Sequence, residues 1–175
     1  IVIMGKRLKR TIDYAIENGA TILNMSFGSY ANSQTLRQAL EKAYQSAVLV
    51  AAAGNDGLGI YPECGNILYK PMYPAAFEFV LGAQAISKEG ALAGFSNYDC
   101  DGPTFSLSGK DAFSHDDGAV NYEMAYPGVG IISTIPEGNY KQLNGTSMAS
   151  PLLAGAISAL QRVKEYGTQE ILWGD

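Results

Sequence analysis

Leu8, Ile12, Ala15 and Ile16 fall at i, i+4, i+7 and i+8, the spacing that lines apolar side chains along one side of a helix. Gly19 follows, and glycine takes the left-handed backbone that ends helices without a Cβ clash. Residues 22–27 then carry Ile22, Leu23, Met25 and Phe27, a mostly buried strand that closes at Gly28. After a polar stretch over 29–34, Leu36, Ala39, Leu40 and Ala43 mark the inner face of a second helix. The run AVLVAAAG over 47–54 is almost continuously apolar, as in a strand covered on both faces of a parallel sheet. Strand, helix and strand in that order predict a right-handed crossover unit.

Farther along, residues 79–86 and 129–135 read as two more strands. Residues 56–76 and 97–123 are rich in turn formers and read as loops, the second long enough to be an insertion. From Ser147 to Lys164 the pattern is helical again, with Ala149, Ala154, Gly155, Ala156 and Ala159 allowing close approach to a sheet. Neither an internal repeat nor a domain boundary interrupts the chain, so the expectation is one α/β domain over residues 1–175 with a parallel sheet.

Composition narrows what this domain can do. Of 175 residues, 47% are hydrophobic and 17% charged, and the net charge is -5. A phosphate backbone calls for a basic face, so no nucleic acid is expected as a partner. No apolar run approaches the roughly 20 residues of a membrane span. Cys64 and Cys100 are too few for a disulfide framework, and one bridge or two free thiols both fit. Without a CxxC pair or a Cys/His cluster, no metal site is expected. The first residues, IVIMGKRLKR, run apolar then basic, the reverse of a secretory signal.

The densest chemical signal is NGTSMASP over 144–151. Ser147 stands where a glycine-containing turn becomes a helix, beside free N–H groups at the positive end of the helix dipole. The plain reading of a serine at a helix start is an N-cap, and the same position also suits a nucleophile beside oxyanion donors. Asn55, in VAAAGNDG over 50–57, sits at the carboxyl end of a buried strand, where α/β folds bind ligands, although Asn-Asp-Gly is also a turn signal.

These segments resemble the subtilisin-like serine proteases, or subtilases. GTSMASP is similar to that family's nucleophile motif, ILNMSFG over 22–28 to its substrate-binding strand, and VAAAGNDG to the strand carrying its oxyanion asparagine. Tyr73 to Ala76, Phe95-Ser96 and Tyr126-Pro127-Gly128 match further segments in the family's order. The resemblance implies a three-layer fold with a mostly parallel central sheet, truncated at its N-terminal side, and an insertion over 97–123. It implies Ser147 as nucleophile and Asn55 as oxyanion donor alongside the Ser147 N–H. Ser26, Phe27 and Gly28 would form one wall of a peptide cleft, and Ala52, Ala53 and Gly54 the wall of a pocket open to a bulky apolar side chain. A cis bond at Pro74, a polypeptide substrate, a propeptide partner and a secreted or cell-surface location also follow from it. No cofactor is certain, and structural calcium is compatible with the family.

The family's His-Gly motif is not in this chain, and the one Asp-x-Gly, Asp116-Asp117-Gly118, lies in the 97–123 stretch rather than at the family's upstream position. His115, the one histidine, lies in the 97–123 stretch with no motif around it, and Leu152 stands where subtilases commonly have His. The expectation is therefore a serine endopeptidase whose acid and base lie upstream of Ile1, so that this chain alone is inactive. The alternative is a pseudoprotease that keeps the cleft to bind peptides. A nucleophile elbow of the α/β-hydrolase type fits only in part, because Gly145-x-Ser147-x-Ala149 lacks its second glycine.

Overall fold

A computed structural model describes residues 2–61, 69–99 and 121–166. Helix α1 spans Val2–Glu17 and strand β1 Ile22–Met25. Between them Gly19 adopts φ 82° and closes the helix with its N–H on the Ile16 carbonyl at 3.0 Å. Helix α2, Gln34–Tyr44, is capped by Ser33, whose side chain accepts from the Leu36 N–H. Strands β2 (Val48–Ala52), β3 (Leu81–Ile86) and β4 (Met124–Pro127) complete a four-stranded sheet in the order β1-β2-β3-β4. Every pair in it is parallel.

Alternation along β2 divides the molecule into three layers. Leu49 and Ala51 join Met25 in one apolar cluster with Ile12 of α1 and Leu36, Ala39, Leu40 and Ala43 of α2. Val50, between them, points to the other face and packs with Ala83, Ala85, Ala149 and Leu153. The last two belong to helix α3, Thr146–Tyr166, which lies across all four strands. Fully buried Leu40 and Leu49 each contribute about 1.5–3 kcal/mol relative to exposure. The small residues of α3 do as expected: Ala149 is fully covered against the sheet.

Two elements differ from the sequence pattern. The apolar run at 129–135 is not a strand of the parallel sheet. It forms β5 (Ile131–Ile135), paired antiparallel with β6 (Asn139–Leu143) in a separate ribbon. The fourth sheet strand is instead β4, four residues ending in Pro127, too short to show a period. Pro127 is tolerated there because β4 is the edge strand of this sheet and the proline sits at its end.

The 97–123 stretch lies outside the described residues over 100–120, with His115 and Cys100; Cys64 lies outside them too. Its two ends are core. Asn97 is fully buried, and Tyr122 is 1% exposed. The Tyr122 hydroxyl accepts from the Met72 N–H at 2.9 Å, and the Tyr122 carbonyl accepts from Gln84 Nε2 at 3.1 Å. Among the described residues no helix is long and apolar enough to cross a membrane.

Candidate active site

The register of β1 against β2 decides what faces what. Met25 pairs with Ala51, so the two strands leave the sheet side by side at their carboxyl ends. Residues 26–28 and 53–55 therefore continue as neighbouring segments, and the N-terminus of α3 lies beside them. Crevices of this kind, outside the carboxyl ends of parallel strands, are where α/β sheets hold ligands.

Ser147 is the second residue of α3, so its N–H belongs to the first turn and has no acceptor within the helix. Its Oγ donates to the Ser26 carbonyl at 3.3 Å, while Ser26 Oγ donates back to the Ser147 carbonyl at 3.0 Å. The second bond has a cause in the sequence. Pro151, four residues on, lacks the N–H that would have taken the Ser147 carbonyl in a regular helix. The chain of side chains extends through Asn24, whose Nδ2 donates to Ser26 Oγ at 3.1 Å, to Ser150, whose Oγ donates to Asn24 Oδ1 at 2.5 Å. Three of these hydrogen bonds tie the end of β1 to the start of α3, and the Asn24–Ser26 bond links them on the β1 side, which fixes the backbone under Ser147.

Asn55 is exposed and bound by one end. Its Oδ1 accepts from the Thr146 N–H at 2.8 Å and from Thr146 Oγ1 at 2.9 Å. The amide nitrogen has no partner among the described residues. Thr146, fully buried, also accepts from the Gly54 N–H at 3.1 Å, so it ties the end of β2 to the helix start.

The loop after β2 is clamped from below by Asn97. Asn97 Oδ1 accepts from the Asp56 and Leu58 N–H groups at 3.0 and 3.1 Å, and its Nδ2 donates to the Ala53 carbonyl at 3.0 Å and to Tyr30 Oη at 3.1 Å. Tyr30 in turn donates to Asp56 Oδ2. Burial, helped by that Asp56 bond, holds the Tyr30 phenol above its ordinary range, so it remains a donor at neutral pH. Gly54 is required here on two counts: its φ is 108°, and a Cβ would stand 2.4 Å from Asn97 Nδ2.

Phe27, Gly28, Ala52, Gly54, Asn55 and Ser147 line one cavity of about 270 Å³, together with Asp56, Met72 and Thr146. Two of the expected residues are placed differently. Ser26 is not among the residues lining the cavity and is instead bonded to Ser147, and Ala53 is fully buried in the core, its carbonyl held by Asn97. Thr146, Asn97 and Met72 carry no chemical signal of their own in the sequence, although Thr146 lies within the 144–151 motif and Met72 directly precedes Tyr73. The Tyr73–Pro74 bond is cis. Among the described residues, no group of three or more His, Cys, Asp or Glu side chains is placed to hold a metal ion.

Residues 5–172 match the model of the Subtilase family. The chain is 36% identical to subtilisin DY of Bacillus licheniformis over 151 residues, which cover 85% of this chain and 45% of that protein. It is 31% identical to the major intracellular serine protease of Bacillus subtilis over 162 residues, 92% of this chain and 43% of that protein. Among solved structures, a prenylagaramide maturation protease aligns with TM-score 0.70 and 26% identity over 94% of this chain and 52% of its own. The chain thus spans about half the length of these proteins. A minor extracellular protease of Bacillus subtilis matches as well, at 34% identity over 89% of this chain and 20% of its own length, so relatives occur on both sides of the cell boundary.

Proposed function

Because this chain belongs to the subtilase family, we propose that it forms the nucleophile-bearing part of a serine endopeptidase, with the catalytic His and Asp in the portion of the protein upstream of Ile1. The observation that supports this reading is that Ser147, at the first turn of α3, and Asn55, bound through its oxygen end alone, line a single cavity. Ser147 Oγ attacks the carbonyl of a polypeptide laid along the cleft, its proton passing to the upstream base. Negative charge then develops on the carbonyl oxygen, where Asn55 Nδ2 and the Ser147 N–H are the two available donors.

Asn55 suits that role because Thr146 occupies its oxygen end twice, leaving only the donor end to face a ligand. The contact from Ser147 Oγ to the Ser26 carbonyl, at 3.3 Å, is a resting one: a carbonyl accepts a hydrogen bond but cannot take the proton. Activation requires the hydroxyl to turn from Ser26 to a true base. Backbone groups of Phe27 and Gly28 border the cavity and are exposed, suited to holding an extended peptide by main-chain hydrogen bonds.

A fluorophosphonate probe tests the assignment. Ser147 should be labelled in the protein together with its upstream portion, and labelling should be lost in Ser147→Ala. This chain by itself should label far more slowly, since loss of a triad member leaves only about 10³–10⁴-fold catalysis over water. Absence of labelling in the longer protein would instead mark it as a peptide-binding relative without catalysis. Rapid labelling of the isolated chain, abolished by His115→Ala, would place the base within these residues.

A further inference from the structure

We propose that Asn97 is a positioning residue for the oxyanion donor: it fixes the loop on which Asn55 stands, so that its loss lowers the turnover rate rather than substrate binding. The inference rests on the protease reading above and adds a member to its machinery. Asn97 is fully buried and is not among the residues lining the cavity that holds Ser147 and Asn55. It has no access to a reacting atom, so whatever it does for the reaction it does through its neighbours.

Those neighbours flank Asn55 on both sides. Before Asn55, the Asn97 N–H donates to the Gly54 carbonyl at 2.9 Å, and Asn97 Nδ2 donates to the Ala53 carbonyl at 3.0 Å. After it, Asn97 Oδ1 accepts from the Asp56 and Leu58 N–H groups at 3.0 and 3.1 Å. Asn55 is the residue left between, its main chain braced on either side by one residue while Thr146 holds its side-chain oxygen. Gly54 and Gly57, at φ 108° and 64°, bracket Asn55 with the residue type that restricts its own dihedrals least. The brace therefore has to come from outside the loop. A single asparagine amide suits it, since its oxygen takes two N–H groups while its nitrogen serves the carbonyl on the other side.

A brace positions only if it is itself fixed, and Asn97 is fixed to the sheet. Ser96, 1% exposed, accepts the Ala85 N–H of β3 through Oγ at 2.9 Å, and the same Oγ donates to the Asn97 carbonyl at 2.8 Å. The Ser96 N–H donates to the Ala93 carbonyl at 2.8 Å, and the Ala93 N–H donates to the Ala85 carbonyl at 2.9 Å. Position thus passes from β3 through Ser96 and Asn97 to the loop after β2. Groups that stabilise a transition state must be held within about 0.5 Å of their productive place. A misplacement of about 1 Å caused by a change remote from the chemistry can cost about 10²-fold in rate.

The experiment compares the full-length protein with Asn97→Ala, Asn55→Ala and the double variant, each checked for folding by circular dichroism, on casein and on acetyl-Ala-Ala-Pro-Leu p-nitroanilide. Asn97→Ala should lower kcat by about tenfold or more while KM stays within about twofold. With Asn55 already replaced, the same change should lower kcat by less than about twofold, because the donor it positions is gone. A merely structural residue would lower activity by the same factor in both backgrounds. Unchanged kcat in Asn97→Ala, equal falls in both backgrounds, or a rise in KM alone overturns the role of Asn97 and leaves the protease reading standing. If Asn97→Ala does not fold, Asn97→Asp, which keeps the volume and an acceptor for both N–H groups, takes its place in the cycle. Failure of both variants to fold makes Asn97 a structural residue only and overturns the inference. A wild type that cleaves neither casein nor the p-nitroanilide removes the protease reading, and this inference with it.

Discussion

At the residue scale, the two ends of the Asn55 amide have different work. Thr146 holds the oxygen end through its N–H and hydroxyl, at 2.8 and 2.9 Å, so the nitrogen is oriented by the protein without a ligand. A donor oriented in advance stabilises charge that appears only in the transition state. In the full-length protein, Asn55→Ala should therefore lower kcat while KM stays within about twofold. Subtilisin's own oxyanion asparagine is the reference case for the size, about 10²–10³-fold, and the magnitude is adopted from it. An unchanged kcat in steady-state kinetics would remove Asn55 from the mechanism. Ser147 and Asn55 were legible in the sequence because each lies in a contiguous motif. Thr146 and Met72 were not, because their placement rests on contacts with Asn55, Gly28 and Gly54 that adjacency along the chain does not reveal.

At the scale of elements, the decisive piece is the loop that follows β2. Five hydrogen bonds join it to Asn97: four from the Asn97 side chain, counting the one through Tyr30, and one from the Asn97 N–H to the Gly54 carbonyl at 2.9 Å. Asn97→Ala removes the side-chain bonds in a buried place and leaves the Asp56 and Leu58 N–H groups without their acceptor. The cost should be about 1–3 kcal/mol for each group left buried and unsatisfied, tempered where water reaches it. Hydrogen exchange should then accelerate at Asp56 and Leu58 while the β2 amides stay protected; equal protection in wild type and variant would show that the loop holds without Asn97. Helices α1 and α2 and strand β2 were legible from the sequence because each repeats a period over enough residues to show it. Strand β4 is hidden by its four-residue length, and the sequence shows β5 without its partner β6, since hairpin pairing over 131–143 depends on Glu137 and Gly138 taking left-handed φ angles of 69° and 72°.

At the scale of the whole molecule, β3 and β4 meet at a carboxyl that burial has changed. Glu123 precedes β4 and accepts the Gly82 N–H through Oε2 at 2.7 Å. Burial is the main cause that pushes its pKa up from 4.5 to about 8; nearby Asp99 adds to this, and the Gly82 bond opposes it. The folded state thus binds a proton that the unfolded chain gives up between those pH values. Its contribution is fully present below about pH 4.5 and is lost as pH rises through about 8, a change on the order of a few kcal/mol. Glu123→Gln keeps an acceptor for Gly82 without the titration, so the fall in thermal midpoint between about pH 5 and 9 should flatten. An identical slope in both proteins would mean that Glu123 does not control it. The sequence by itself determined the α/β class, the helices and β2, and it singled out Ser147 and Asn55 as candidates, because these follow from local periodicity and contiguous motifs. Only the tertiary structure decided that Met25 pairs with Ala51, that the Ser147 carbonyl freed by Pro151 is taken by Ser26, and that Met72 fills the space left by two glycines. Each of these joins residues tens of positions apart, and such meetings are set by strand register and by how side chains share a fixed volume, neither of which a linear pattern encodes.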